Sequence, residues 1–167
     1  MIVTTWNVRG MQRPRRQPVV VDFIKSNRVD VMGLIETKMK EAMVKSFMAK
    51  NFPTWRFEYN IGGKQTCRLL LLWNPQQAEV DICKVEEQAI HAKIRCTRTR
   101  NNFNFSLVYG LHSPGARLPL WESMAVFSVQ GEPYLVSGDF NAVLAADERK
   151  RGKKPENREM DGPCRLQ

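Results

Sequence analysis

The sequence predicts a mixed α+β domain built mainly on antiparallel sheet. Five strand-like runs follow one another through its middle with only turns between them, the layout of a meander. Segments with helical spacing of apolar residues lie on both sides of that middle. The length, 167 residues, suits one domain with a real core and not comfortably two.

In chain order, "MIVTTWNV" reads as a first strand and "GMQRPRRQP" as a loop punctuated by two prolines. "VVVDFIKSNR" carries Val20, Val21, Phe23 and Ile24 on one side, a short amphipathic helix. "VDVMGLIE" is an apolar strand ending on the acid Glu36. "TKMKEAMVKSFMAKN" places Met39, Met43, Phe47 and Met48 at helical spacing, as core packing. "TWRFEYN" alternates, "RLLLLWN" follows the Gly62-Gly63 turn as a buried strand, and "AEVDICKV" alternates again. "QAIHAKIRCT" and "FNFSLVYG" are joined by the polar turn "RTRNN". "ARLPLWESMAVFSVQ" has helical periodicity at Leu120, Met124 and Phe127, and "EPYLVSGDFN" is the last strand. Beyond Ala146 the sequence is charged and lacks a core strand, so the domain is expected over 1–146, with a tail or loop over 147–167.

Composition is that of a globular chain, 43% hydrophobic and 26% charged. No apolar run approaches the ~20 residues of a membrane span, and "MIVTTWNVRG" lacks the basic-then-apolar layout of a signal peptide. Cys67, Cys83, Cys96 and Cys164 show no CxxC spacing, which argues against zinc and for reduced thiols in an intracellular protein. The net charge is +9, from 26 Lys and Arg against 17 Asp and Glu. The excess clusters. Arg9, Arg13, Arg15 and Arg16 lie in an acid-free start, Lys93, Arg95, Arg98, Arg100 and Arg117 in a second acid-free stretch, and "ERKRGKK" near the end. Such patches favour a polyanion, nucleic acid above all, through counterion release.

The chemistry gathers at strand ends. Apolar runs finish on Asn7, on Glu36, on Tyr109, and on Asp139 and Asn141. In "PYLVSGDFNAVL" the last two are two residues apart, and positions i and i+2 of an extended chain point the same way. Each end taken alone is also what a turn or helix cap prefers. Four together, if they share one end of the sheets, make a site of two carboxylates, two amides and a phenol. Such hard oxygen donors suit Mg²⁺, which takes one or two carboxylates beside waters and substrate phosphate. That constellation suits cleavage of a phosphodiester and agrees with the basic surface.

"TWNVRG", "DVMGLIETK", "LVYG" and "SGDFNAVL", in this order, closely resemble the endonuclease/exonuclease/phosphatase superfamily, whose fold is the DNase I-like four-layer α/β sandwich. "RLLLLWNP" and "RLPLWESM" are similar to segments of the apurinic-like endonuclease domain of plant LINE-type (non-LTR) retrotransposons. The resemblance covers nearly all of residues 1–150. It implies that Asn7 orients the metal-site carboxylates, that Glu36 binds Mg²⁺ (or Mn²⁺) with Asn7 beside it, and that Tyr109 contacts the scissile phosphate. It implies further that Asp139 positions or activates the attacking water and that Asn141 holds the phosphate. DNA is then the expected partner, with Arg9, Arg13, His112 and Arg117 as candidate contacts, in a monomer acting in the nucleus.

The pattern also departs from the family. A closing Ser-Asp-His motif is expected and is not found. His91 sits mid-strand and His112 three residues past Tyr109, and neither stands in for the family's C-terminal His. "REMDGPCRLQ" lacks the expected further strand. The chain thus reads as C-terminally truncated, with an incomplete sandwich. Three functions fit: a Mg²⁺-dependent endonuclease, a non-catalytic remnant that binds nucleic acid weakly, and a phosphatase for a lipid or sugar phosphate, against which the basic surface counts.

Overall fold

The computed structural model describes residues 1–62, 65–129 and 131–142. The elements run β1 (Val3–Asn7), a 3-10 turn (Pro14–Arg16), α1 (Gln17–Ser26), β2 (Val31–Met39), α2 (Glu41–Asn51), β3 (Arg56–Ile61) and β4 (Cys67–Trp73). They continue through β5 (Ala78–Val85), β6 (Ala89–Cys96), β7 (Asn102–Tyr109), α3 (Pro114–Ser128) and β8 (Tyr134–Asp139). Two four-stranded sheets form, in the orders β1-β2-β4-β3 and β5-β6-β7-β8.

The sheets pack face to face. Val31, Ile35, Leu69 and Leu71 of the first meet Ile90, Ala92, Phe105 and Leu107 of the second. Met32, Leu34, Leu70 and Leu72 face the other way, onto Val20 and Ile24 of α1 and Val44, Phe47 and Met48 of α2. β4 is therefore buried on both faces, which is why it reads as an unbroken leucine run and not an alternation. On the far side Ala89 and Val108 pack on Leu120, Trp121 and Met124 of α3. The result is the expected four-layer α/β/β/α sandwich.

Antiparallel pairing holds for β2–β4, β3–β4, β5–β6 and β6–β7. β1–β2 and β7–β8 are parallel, because each pair is joined through a helix, α1 or α3, that returns the chain to its starting side. These parallel pairs occupy corresponding edges of the two sheets, and β1 lies beside β8, where the Thr5 and Ser137 hydroxyls are hydrogen-bonded. The C-terminal ends of β1 and β8 are thus brought together.

Two boundaries differ from the sequence reading. β2 does not end at Glu36 but continues to Met39 through a break in register. Met39 is accordingly a buried strand residue, and α2 begins two positions later at Glu41. Of the "TKMKEAMVKSFMAKN" set, Phe47 and Met48 are fully buried helix positions and Met43 is partly buried. α3 starts at Pro114 behind the Ser113 N-cap, whose hydroxyl accepts from the Ala116 N–H at 3.3 Å. The expected tail over 147–167, including "ERKRGKK" and "REMDGPCRLQ", lies outside the described residues. Among those described, no helix is long and apolar enough to cross a membrane.

Candidate active site

Side-chain alternation decides what enters the gap between the sheets. In β1, Trp6 packs outward on Phe23 of α1, with ring centroids 5.2 Å apart. Its neighbours Thr5 and Asn7 point inward, by the strand period of two. In β8, Val136 and Phe140 pack toward α3, so Ser137 and Asp139 point inward as well. Asn7 Nδ2 donates to Asp139 Oδ2 at 3.0 Å and to Glu36 Oε1 at 2.9 Å. One amide thereby joins two carboxylates carried by different sheets.

Glu36 reaches this gap by breaking the alternation. After the inward Ile35, strict period two would send it toward the helices with Met32 and Leu34. Instead Glu36 and Lys38 both adopt left-handed backbone, φ 55° and 56°, at a cost of order 1 kcal/mol each for non-glycine residues. Between them Thr37 is fully buried and its Oγ1 donates to the Cys67 carbonyl at 2.7 Å, which pins the bulge. The pattern of strain beside a functional group is common at sites where geometry is held by surrounding structure. Burial pushes the Glu36 carboxyl up. Hydrogen bonds from Asn7 and Lys38, with the charges of Lys38 and Arg9, outweigh it and hold the group below the usual glutamate range. The exposed Lys38 ammonium lies 3.2 Å from Glu36 Oε2.

The second half of the site is fastened by backbone contact. Asn141 N donates to Asp139 Oδ1 at 3.1 Å, an Asx turn, and Asn141 takes left-handed backbone at φ 48°, which Asn tolerates. One N–H of its side-chain amide donates to the Gly110 carbonyl at 2.7 Å, leaving the other for a ligand. The β7 and β8 ends approach so closely that a Cβ at Gly110 would stand 2.2 Å from the Phe140 carbonyl oxygen, and one at Gly138 2.0 Å from that of Val108. Tyr109 is in register with Asp139 and is 8% exposed. The exposed His112 meets its ring edge-on, with centroids 6.4 Å apart.

All five residues predicted from strand ends therefore share one end of the sandwich. Among the four candidate nucleic-acid contacts the outcome divides. Arg9 and Arg13 are exposed, and Arg9 N also donates to Asn7 Oδ1 at 3.1 Å. Arg117 is 2% exposed, and this corrects its assignment as a surface contact. Its Nη1 donates to the carbonyls of Leu111, His112 and Asn141 at 3.0, 3.0 and 2.7 Å. A helix position facing the sheet turns this cation inward, where backbone oxygens take the place of water. His91 is likewise buried under α3, bonded to Ser106 at 2.6 Å and Glu86 at 3.1 Å and stacked on Phe127. It is fully buried and ties β6, β7 and α3 together through these contacts.

Two residues at the site carry no motif. Lys38 follows Glu36 by two and was open to recognition from that spacing. Arg68, whose guanidinium lies over Tyr109 at 5.5 Å, had no signal, since only the packing of β4 against β7 brings them together. Among the described residues no group of three or more His, Cys, Asp and Glu is assembled to hold a metal ion. The carboxylates of Glu36 and Asp139 are hard oxygen donors, within the one or two that Mg²⁺ takes with waters, while the Asn7 amide turns its nitrogen to them and its Oδ1 accepts from Arg9 N.

A search of the curated proteins by sequence found no match. Solved structures match closely in shape. The human Nocturnin catalytic domain with bound sulfate superposes with a TM-score of 0.67 at 12% identity, over 86% of this chain and 65% of that one. The endonuclease domain of TRAS1, a telomere-specific non-LTR retrotransposon, gives 0.68 at 12% identity, over 98% of this chain and 68% of that one. A mannosyl-6-phosphatase of Bacteroides thetaiotaomicron gives 0.63 at 17% identity, over 84% and 65%. At these identities the likeness is one of fold, the DNase I-like fold, and the chain spans about two thirds of the length of these structures. The model of the endonuclease/exonuclease/phosphatase family matches residues 4–165. Nearly the whole sequence is included in that match, and the chain belongs to the endonuclease/exonuclease/phosphatase family.

Proposed function

We propose that this chain is a metal-dependent phosphodiesterase that nicks DNA, of the kind carried by LINE-type retrotransposons. The observation that carries the reading is the Asn7 amide held between Glu36 and Asp139. A single neutral donor sets two anionic groups at fixed separation beside the phenol of Tyr109 and the amide of Asn141. The retrotransposon endonuclease among the structural relatives supports the choice of DNA, as does the net charge of +9.

Glu36, with Asp139 across the Asn7 bridge, would hold Mg²⁺ or Mn²⁺. A bound ion would supply polarisation of a phosphoryl oxygen and stabilisation of the leaving oxygen. The chain's own groups do the rest. Asp139, anchored through both oxygens, orients a water and accepts its proton. The free N–H of Asn141 and the Tyr109 hydroxyl donate to the phosphate. Asn7 keeps the carboxylates apart and aimed.

A second reading is a non-catalytic member that binds nucleic acid weakly. It is favoured by one observation: neither described histidine joins the carboxylates, His91 being buried under α3 and His112 lying on Tyr109. An imidazole is worth about 10²–10⁴ in rate where it acts as acid, base or donor. Nicking of supercoiled plasmid decides between the readings. Mg²⁺-dependent, EDTA-sensitive nicking lost in Asp139→Ala is the expected result. A folded chain that binds DNA and does not nick above the Asp139→Ala control would sink the endonuclease reading.

A further inference from the structure

Arg68 sits in β4 between Cys67 and Leu69, whose partners in β2 are Met39 and Ile35. It is therefore level with the bulge where Glu36 and Lys38 leave the ladder. Its guanidinium carbon lies 5.5 Å from the centroid of the Tyr109 ring, and Tyr109 is in register with Asp139. A planar cation resting on an aromatic face is held in orientation without using up its hydrogen-bond donors.

Its other contacts are poor. Among the described residues its ion-pair partner is Glu87, whose Oε1 is 3.6 Å from Arg68 Nη1, beyond hydrogen-bond length, and Glu87 itself is 55% exposed. Arg68 Nη1 is buried and makes no hydrogen bond to any described residue. A guanidinium that served only the core would have its buried donors satisfied. Arg68 is instead partly desolvated, 26% exposed, and fixed beside a phenol read as a phosphate contact. Phosphate, like carboxylate, has oxygens that match the guanidinium fork.

We propose that Arg68 is a further substrate-binding residue, which takes a phosphate oxygen on the Tyr109 side of the site. The inference rests on the phosphodiester reading of that site. Glu87 then acts as a weak competing anion that the substrate displaces.

Equilibrium binding of the full chain to a fluorescent 20-base-pair duplex, in EDTA and over a salt series, tests this apart from turnover. Arg68→Gln is expected to weaken binding about tenfold and to lower the salt slope by about one phosphate contact. Arg68→Lys should keep the slope and bind less tightly than the parent, because it keeps the charge and loses the planar fork. Glu87→Gln should bind more tightly. A folded Arg68→Gln protein with unchanged affinity and slope overturns the proposal. If that variant does not fold, unchanged affinity in both Arg68→Lys and Glu87→Gln overturns it as well. Loss of a phosphate contact in Arg68→Gln, from a parent that does not nick, would remove the endonuclease reading and leave Arg68 in place. Nicking by the parent with no effect of Arg68→Gln would do the reverse.

Discussion

Asn7 and Asp139 stand 132 positions apart in the chain, on edge strands of different sheets, and are joined by a 3.0 Å hydrogen bond from Nδ2 to Oδ2. The same nitrogen serves Glu36 at 2.9 Å, so Asn7 touches both acids. Asn7→Ala leaves two carboxylates facing each other with no donor between them. On the proposed metal-dependent reading, a loss of about 10–100-fold in nicking rate is expected, the usual cost of removing a group that orients metal ligands. Plasmid nicking beside a thermal melt checks it. An unchanged rate would show that the bridge has no part in the chemistry.

Glu36 makes a prediction about acid. Its carboxyl is held below the usual range in the folded chain, against the upward push of burial, by Asn7, Lys38 and Arg9. Protons therefore bind the unfolded state more readily. The resulting stability is fully present above the ordinary glutamate value and is lost as pH falls through the lowered one. Glu36→Gln should flatten the decline of Tm below about pH 5. Parallel declines in the two proteins would count against this.

His91 works with the same sign at higher pH. Burial lowers its pKa most, the Lys84 charge adds to that, and the bond and charge of Glu86 oppose it. The folded ring thus takes up a proton less readily than the ring in the unfolded chain. Its contribution is complete above the ordinary histidine value and declines as pH drops below it toward the folded value. Melts between about pH 7.5 and 5.5 should slope less in His91→Gln than in the parent.

Gly138 in β8 and Gly110, just past β7, give a paired test with an internal control. Gly138→Ala and Gly110→Ala each drive a Cβ into a carbonyl oxygen of the facing segment. Each should cost at least about 2 kcal/mol in urea denaturation. At Gly115 in α3 an added Cβ would meet nothing within 4 Å, so Gly115→Ala should be neutral or stabilise by up to about 1 kcal/mol. Equal effects at the three positions would refute the close-approach account.

Arg117 holds three carbonyls, including that of Asn141. Arg117→Met should destabilise by about 2–3 kcal/mol and slow nicking through the loosened Asn141. The salt slope of DNA binding should stay as it was, because this cation is buried and faces backbone. A slope reduced by about one would restore it as a phosphate contact.

By itself the sequence singled out the candidate residue set. Asn7, Tyr109, Asp139 and Asn141 were legible because apolar runs that stop on polar residues reveal strand ends, where side chains leave the core, and Glu36 was legible because the apolar run of β2 stops at its bulge. The leucine run of β4 and the alternation along the second half of β6 likewise follow from burial on two faces or on one. Tertiary structure decided what those residues do together. Parallel pairing at both sheet edges brought Asn7 to Asp139, a contact that no local period encodes. The left-handed turn at Glu36 overrode the alternation that would have pointed its carboxylate at the helices. Charge is the least legible property from sequence, since every arginine reads as solvated. Packing turned Arg117 into a buried brace for Asn141 and laid Arg68 across Tyr109, because a side chain's environment is set by the elements that close over it.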